Sequence, residues 1–187
     1  MNKKLSIYQM AGCGIFAAIM CVLAPIAIPV GPIPITLGVF VVMLSGIVLG
    51  WKLAGTSILV YVMLGFVGLP VFSGGKGGPG VLVGPTGGYI WSFILMALWI
   101  GFWSQKLKGK QAWQRINLGL IAVSSLLICY FFGTLQFSMV CDLSWNRSLA
   151  LCVYPFVIPD LGKAVAAALI GYEIRKRLKK SGQSYTI

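Results

Sequence analysis

Long apolar runs decide what this sequence can fold into. Residues 5–28, 116–140 and 149–173 are predominantly apolar, and a helix needs about 20 such residues to cross a hydrocarbon core of roughly 30 Å. Three further runs, residues 35–50, 53–68 and 88–105, are apolar but shorter. The runs predict an all-α integral membrane protein, with six transmembrane helices in a single domain covering residues 1–187.

The composition agrees with a membrane protein and argues against an enzyme. Of the 187 residues, 58% are hydrophobic and only 10% are charged, whereas a soluble domain carries roughly 25% charge. The chain has no His and three carboxylates, Asp142, Asp160 and Glu173. The usual metal clusters and His-based acid-base pairs therefore cannot be assembled from it. We expect no metal, no cofactor and no catalysis.

The net charge of +12 predicts an orientation rather than a nucleic-acid partner, because the bases lie between apolar runs instead of covering a polar surface. Six spans with a cytoplasmic N-terminus leave Lys76 and Arg147 outside and Lys163 within the last run. The other bases fall inside: Lys3, Lys4, Lys52, Lys106, Lys108, Lys110, Arg115, Arg175, Lys176, Arg177, Lys179 and Lys180. The positive-inside rule then predicts a multi-pass protein of a bacterial cell membrane with both termini cytoplasmic, and its inner bases would contact anionic lipid headgroups.

Two connections differ from hydrophilic linkers. Residues 24–34, here called the proline segment, are apolar and contain four prolines, which prevent a regular helix. Residues 69–88, the glycine segment, are rich in glycine and still half apolar. With six spans both segments fall on the outer face, where they are expected to form re-entrant or lid-like covers over a cavity open to the outside. The alternative is that they are merely compact connections.

Asp160 and Lys163 form the strongest candidate binding pair. They lie three residues apart in the last apolar run, so a helix places both on one face. An ionisable residue at membrane depth is costly and is a functional candidate by default. An acceptor beside a donor suits a small polar head with N–H and C=O groups, such as a cyclic urea or amide. The alternative is an ion pair that only orients the helix.

Lys76 is the candidate for holding a carboxylate. Its neighbours, Gly75 among them, let the backbone approach a ligand closely. The next helix opens at Gly-Pro-Thr-Gly-Gly-Tyr, residues 84–89, so free N–H groups near Gly87 would favour an anion there, and the Tyr89 ring could form a flat wall. A flexible cover with one solvated lysine is an equally good interpretation of the spacing.

Small residues mark two candidate helix-packing faces. Gly14 and Ala18 lie four apart in the first run, and the last run carries a second set, Ala164, Ala167, Ala168 and Gly171. Such spacing lets two helix backbones approach closely. One face could meet a partner protein, and at least one is expected to pack internally.

Together these motifs resemble the biotin-specific S components (BioY) of energy-coupling-factor (ECF) vitamin transporters. The resemblance rests on the glycine segment through its GPTGGY motif, on Pro-Ile-Pro-Ile-Thr-Leu at residues 32–37, which includes Thr36, and on Asp160-Leu-Gly-Lys163. It implies capture of biotin as a ligand at the extracellular side, with Asp160 and Lys163 on the ureido ring.

The same resemblance implies partners: a transmembrane coupling subunit, contacted through Gly14 and Ala18, and two ATPase subunits. This sequence departs from the pattern at three positions, because some family members carry Asn at Lys76, Arg at Ile90 and Gln at Gly38. Lys76 would then replace charge lost elsewhere at the carboxylate end. An S component or permease for another vitamin-like solute is the alternative function.

Overall fold

The structure, a computed structural model, describes residues 7–107 and 109–181. These residues form eight helices and one two-stranded antiparallel sheet, in the order α1 (Ile7–Leu23), β1 (Ala27–Ile28), β2 (Ile35–Thr36), α2 (Gly38–Leu49), α3 (Trp51–Phe66), α4 (Pro79–Val83), α5 (Gly87–Lys106), α6 (Gln111–Cys141), α7 (Trp145–Cys152) and α8 (Tyr154–Lys180). The all-helical prediction is confirmed apart from this short hairpin. The first two residues of the predicted span 5–28, together with Lys3, Lys4 and Lys108, lie outside the described residues.

Helix α2 is the centre of the bundle. Every residue of this helix except Phe40 is buried, and α1, α3, α5 and α8 all contact it. A helix that is apolar on all sides is expected to be buried on all sides, and the sequence of α2 meets that condition. Helices α1, α3, α5 and α8 are therefore positioned relative to one another through α2, and α6 packs on α5 and α8.

Helix lengths differ from those expected at two places. Within the described residues, α5, α6 and α8 are long and apolar enough to cross a membrane, whereas α1, α2 and α3 have 17, 12 and 16 residues. The run 5–28 predicts a long helix, but α1 ends at Leu23, because Pro25 and the later prolines of the proline segment cannot continue a helix. The run 88–105, expected to be short, is a helix of 20 residues. The six-span count stays a prediction.

A tight joint holds α2, α3 and α5 together. Gly50 alone separates α2 from α3 and adopts a φ of +77°, which glycine reaches without the steric cost of a side chain. Gly101 of α5 packs directly on the backbone of Trp51, where a Cβ atom would collide. The Ser104 hydroxyl donates to the carbonyl of Gly46 at 3.3 Å. Polar bonds of this kind between helices are typical of membrane bundles.

The last predicted span, 149–173, is divided into two helices. The short α7 ends at Cys152 and α8 begins at Tyr154, and α8 then continues to Lys180. The small face of α8 packs internally on α2, since a Cβ atom at Gly171 would meet Ile47. Gly14 and Ala18 of α1 are exposed instead. The structure therefore decides which of the two small faces is internal.

Candidate ligand-binding cavity

A cavity of about 130 Å³ lies beneath the proline and glycine segments. Its wall combines both segments with residues of α5, α6 and α8. The prediction that the two segments border one cavity is confirmed.

The proline segment reaches across the cavity as a strap. Its ends pair as strands, with Ala27 opposite Thr36 and Ile28 opposite Ile35. Between them, Ile33 is buried against Phe137, Cys152 and Phe156, so the strap is fixed to the α6–α8 side of the bundle. Thr36 lines the cavity and its Oγ1 accepts a hydrogen bond from the N–H of Gly38 at 3.2 Å.

The glycine segment is held in place by one buried aromatic residue. Phe72 is fully buried, and its ring meets Tyr61 edge-on with centroids 5.6 Å apart. Its N–H donates to the carbonyl of Lys76 at 2.9 Å, and the N–H of Gly75 donates to the carbonyl of Phe72 at 3.0 Å. Gly75 has a φ of +71°, which allows this tight turn. The turn carries Lys76 to the cavity wall.

Two further sets of hydrogen bonds fasten the covers. The N–H of Gly74 donates to the carbonyl of Pro25 at 3.1 Å and so joins the two segments. The Gln136 amide of α6 donates to the carbonyls of Leu82 and Gly84 at 2.9 and 2.8 Å. These carbonyls lie in the last turn and at the C-cap of the short α4, where the helix offers them no partner. The cavity roof is therefore bonded to the bundle beneath it.

Asp160 is held by two partners. The Lys163 ammonium donates to Oδ1 at 2.7 Å and the Tyr130 hydroxyl donates to Oδ2 at 2.8 Å. The side chains of Asp160 and Lys163 are only 4% and 12% exposed, and both line the cavity. A carboxylate has about four lone-pair sites and an ammonium has three donors. Both groups therefore keep hydrogen-bonding capacity for a ligand.

Tyr89 forms a wall through its ring. It lies in the first turn of α5 and lines the cavity. Its hydroxyl donates to the carbonyl of Cys152 at 3.3 Å and lies 3.5 Å from Thr134 Oγ1. Its ring packs on Gly133 of α6, where a Cβ atom would overlap it. These contacts fix the ring as a flat apolar surface.

The charge of the cavity favours an anion. Among the described residues that line it, the charged ones are Lys76, Asp160 and Lys163, which together carry one positive charge. Ser73 also lines the wall, and its buried hydroxyl has no hydrogen-bond partner in the described part of the chain. Ser73 lies three residues before Lys76. A monoanionic ligand would balance the charge and could supply the missing acceptor.

The structure brings five predicted site residues to one cavity: Thr36, Lys76, Tyr89, Asp160 and Lys163. Gly75 and Gly87 are not among its lining residues. Gly75 shapes the turn before Lys76, and Gly87 is buried where a Cβ atom would collide with the Leu82 carbonyl. Gly14 and Ala18 lie on α1, outside the cavity. Their roles toward a ligand or a partner stay predictions.

Three residues of this site were not predicted from the sequence: Ser73, Tyr130 and Gln136. Tyr130 and Gln136 lie in α6, whose apolar window has the highest mean hydropathy among the three long helices. A hydroxyl and an amide within such a run are expensive without partners, and that signal could have identified both. Ser73 carries no signal of this kind.

Comparison with known proteins identifies relatives along nearly the whole chain. A family model described as the BioY family matches residues 1–180. The biotin transporter BioY of Thermotoga maritima is 44% identical over 169 residues, which cover 90% of this chain and 96% of the relative. The biotin transporter BioY2 of Lactococcus lactis is 34% identical and covers 99% and 98% of the two chains.

A solved structure is similar as well. It is described as the S-component for biotin from an ECF-type ABC transporter, and it is 28% identical to this chain with a TM-score of 0.84. The match covers 94% of this chain and 95% of the other. The likeness therefore extends over nearly the whole length of both chains.

Replacing Tyr130 with Phe tests whether its hydroxyl holds Asp160. The change removes the hydrogen bond to Oδ2 while leaving the ring. A lost bond to a buried charge costs about 1–3 kcal/mol, so we expect a Tm lower by about 2–12 °C for a chain of this size in thermal unfolding of the detergent-solubilised protein. Tyr154→Phe, at an exposed position of α8, is the control. Equal Tm values for both variants would contradict the assignment.

Proposed function

Because the chain belongs to the BioY family, we propose that it binds biotin in the cavity beneath the proline and glycine segments and serves as the biotin S component of an ECF transporter. The observation that carries this proposal is the Asp160–Lys163 ion pair, which is largely buried and lines that cavity. The family also confirms the expectation that the chain is not an enzyme, since its relatives are named as transporters. Biotin is then a transported ligand and not a cofactor.

The ion pair suits the ureido ring of biotin. A cyclic urea presents N–H donors beside a carbonyl acceptor, which match the carboxylate of Asp160 and the ammonium of Lys163. Tyr130 holds the second carboxylate oxygen at 2.8 Å, so the acceptor is oriented before the ligand arrives. A pre-oriented pair loses less entropy on binding than two mobile side chains would. Tyr89 and Phe93, which also line the cavity, would pack against the apolar ring atoms and chain.

Lys76 suits the carboxylate of biotin. It supplies the one positive charge left over when Asp160 and Lys163 balance each other. Ser73, with its unpaired buried hydroxyl, could donate to the same carboxylate. Ile90, where some family members carry Arg, is apolar and buried. The charge therefore comes from the glycine segment instead of from α5.

The exposed face of α1 suits the transmembrane coupling subunit. Gly14 and Ala18 are both exposed, and a Cβ atom at Gly14 would meet nothing within 4 Å. Small residues on an outer helix face let another helix approach closely. The chain would deliver biotin through this contact to a module that also contains two ATPase subunits.

We infer six membrane-spanning segments, a cell-membrane location, both termini in the cytoplasm and the covering segments outside. The support is the basic end of α8, which carries Arg175, Lys176, Arg177, Lys179 and Lys180. Twenty residues separate Asp160 from Lys180 along α8, or about 30 Å of helix, so the cavity and the basic end lie near opposite faces of a bilayer. A C-terminal fluorescent tag that matures only in the cytoplasm should fluoresce, and a dark tag on an expressed protein would contradict the orientation.

Asp160→Asn tests the ureido assignment. Truncating one member of a buried, hydrogen-bonded charge pair costs about 2 kcal/mol or more, so the Kd for biotin should rise by about 30-fold or more. Radiolabelled biotin binding to the detergent-purified chain measures this. Asp142→Asn is the matched control, because Asp142 is exposed at the end of α6 and Asn tolerates its left-handed conformation. If the two variants bind biotin equally well, or if another vitamin binds more tightly than biotin, the proposal fails.

Lys76→Gln tests the carboxylate end with a second ligand. Biotin carries the carboxylate, and biotin methyl ester lacks its charge. We expect the variant to raise the Kd for biotin about tenfold, which corresponds to about 1.4 kcal/mol. The Kd for the ester should stay nearly unchanged. Asp160→Asn should weaken the binding of both ligands. If Lys76→Gln raises the Kd for biotin and the Kd for the ester by the same factor, Lys76 does not hold the carboxylate.

A double variant, Gly14→Leu with Ala18→Leu, tests the partner surface. Because both positions are exposed, the larger side chains should leave biotin binding intact and reduce co-purification with the coupling subunit. Gly119→Leu on α6 is the control, since a Cβ atom there also meets nothing within 4 Å. Normal co-purification of the double variant would remove this face from the interface.

A further inference from the structure

A second cavity lies between the start of α6 and the end of α8. Gln111, Gln114 and Leu118 line it from α6, and Tyr172, Arg175, Lys176, Lys179 and Lys180 line it from α8. Arg175 is 15 residues after Asp160, or about 22 Å along the helix, so this basic groove is separate from the candidate biotin site. Its two walls belong to the two longest helices of the bundle.

The basic groove concentrates positive charge, with no acidic side chain among its described lining residues. Residues 172, 175, 176 and 179 recur at the spacing that puts side chains on one helix face. Four of the described lining residues are cationic and none is acidic. The acid nearest in sequence, Glu173, is already paired with Arg115 at 2.5 Å. Like charges three or four residues apart repel each other, and a bound anion would remove that repulsion.

Arg175 gives the groove a fixed donor. Its Nη1 donates to the carbonyl of Ser104 at 2.6 Å, which fastens the guanidinium to the end of α5. A guanidinium has five N–H donors, so this bond leaves others for an anion, and its planar fork matches the oxygens of a phosphate. The flexible lysines around it can adjust to the same group.

The surroundings of the groove favour a lipid over a free anion. Its floor includes Leu118 and the ring of Tyr172, which are 1% and 6% exposed. At the same level of α6, Trp113, Ile116 and Leu120 are each more than 60% exposed, which suits contact with acyl chains and the membrane interface. Basic pockets between membrane helices are known as sites for anionic headgroups.

We propose that the basic groove between α6 and α8 binds the phosphate of an anionic membrane lipid, with Arg175 as the fixed contact and Lys176, Lys179 and Lys180 as the surrounding cations. The phosphate would cross-link the start of α6 to the end of α8. The chemistry recognised is the phosphodiester, and the acyl chains would lie along the exposed apolar residues of α6.

Thermal unfolding of the protein in a neutral detergent tests this proposal. Three additives are compared: phosphatidylglycerol as the anionic lipid, phosphatidylcholine with the same acyl chains as the neutral lipid, and inorganic phosphate as the free anion. We expect phosphatidylglycerol to raise the Tm of the full chain by about 2–4 °C relative to phosphatidylcholine. The double variant Lys176→Gln with Lys179→Gln should lose this increase. The control Lys52→Gln with Arg177→Gln removes the same charge at exposed positions outside the groove and should keep it.

Three results would overturn the proposal. One is a wild-type protein that phosphatidylglycerol stabilises no more than phosphatidylcholine does. Another is an equal loss in both double variants, which would mean diffuse attraction to the whole basic surface. A Tm increase from inorganic phosphate equal to that from phosphatidylglycerol would make the groove a free-phosphate site. If the groove double variant does not fold, the single variant Lys179→Gln, at an exposed position, takes its place and should lose part of the increase.

Discussion

Non-helical backbone at the edge of a membrane bundle must find its hydrogen bonds inside the protein, because hydrocarbon supplies none. The two segments that cover the cavity meet this constraint through named bonds. The N–H of Gly78 donates to the carbonyl of Gly65 at 2.7 Å, and the N–H of Gly74 reaches Pro25. Gln136 supplies the donors that α4 lacks. The shape of the cavity depends on these bonds, since they hold the strap and the glycine turn over α5, α6 and α8.

The same constraint governs the charges inside the cavity. A carboxylate as buried as Asp160 is tolerable only with partners, and Lys163 and Tyr130 provide one for each oxygen. The protein itself therefore stabilises the pair, which is still able to bind a ligand. Its orientation depends on α6 as much as on α8, because the tyrosine comes from the neighbouring helix. Packing between α6 and α8 thus becomes part of the proposed recognition of biotin.

Helix α8 connects the two proposed sites. Asp160 and Lys163 lie near its start, the small face around Gly171 packs on α2, and the basic groove begins at Tyr172. Both sites use α6 as their second wall. A lipid phosphate in the groove and a ligand in the cavity would then act on the same pair of helices from opposite ends. The internal packing of α8 on the buried α2 makes it a rigid support for both.

Local and compositional features were readable in advance. Apolar runs predicted the helices, because a membrane span is recognised by its length and apolarity alone. Asp160 and Lys163 were found as a pair because three residues along a helix bring side chains to one face. The two covering segments followed from their prolines and glycines, and the family resemblance supplied the ligand. The length of α1 was misjudged, since hydropathy continues through Pro25 although the helix does not.

Contacts between distant parts of the chain could be settled only by the tertiary structure. Tyr130 meets Asp160 across 30 residues and Gln136 meets Leu82 across 54, and no local periodicity encodes such separations. The sequence showed two helix faces of small residues. Packing decided that the face on α8 turns inward, whereas Gly14 and Ala18 on α1 stay exposed. The sequence by itself determined a membrane bundle, its covers and an ion pair, because these depend on short-range geometry and on solvation. The cavity, the hydrogen bond from Tyr130 to Asp160 and the basic groove arise where separate helices meet, and that meeting is decided by three-dimensional packing.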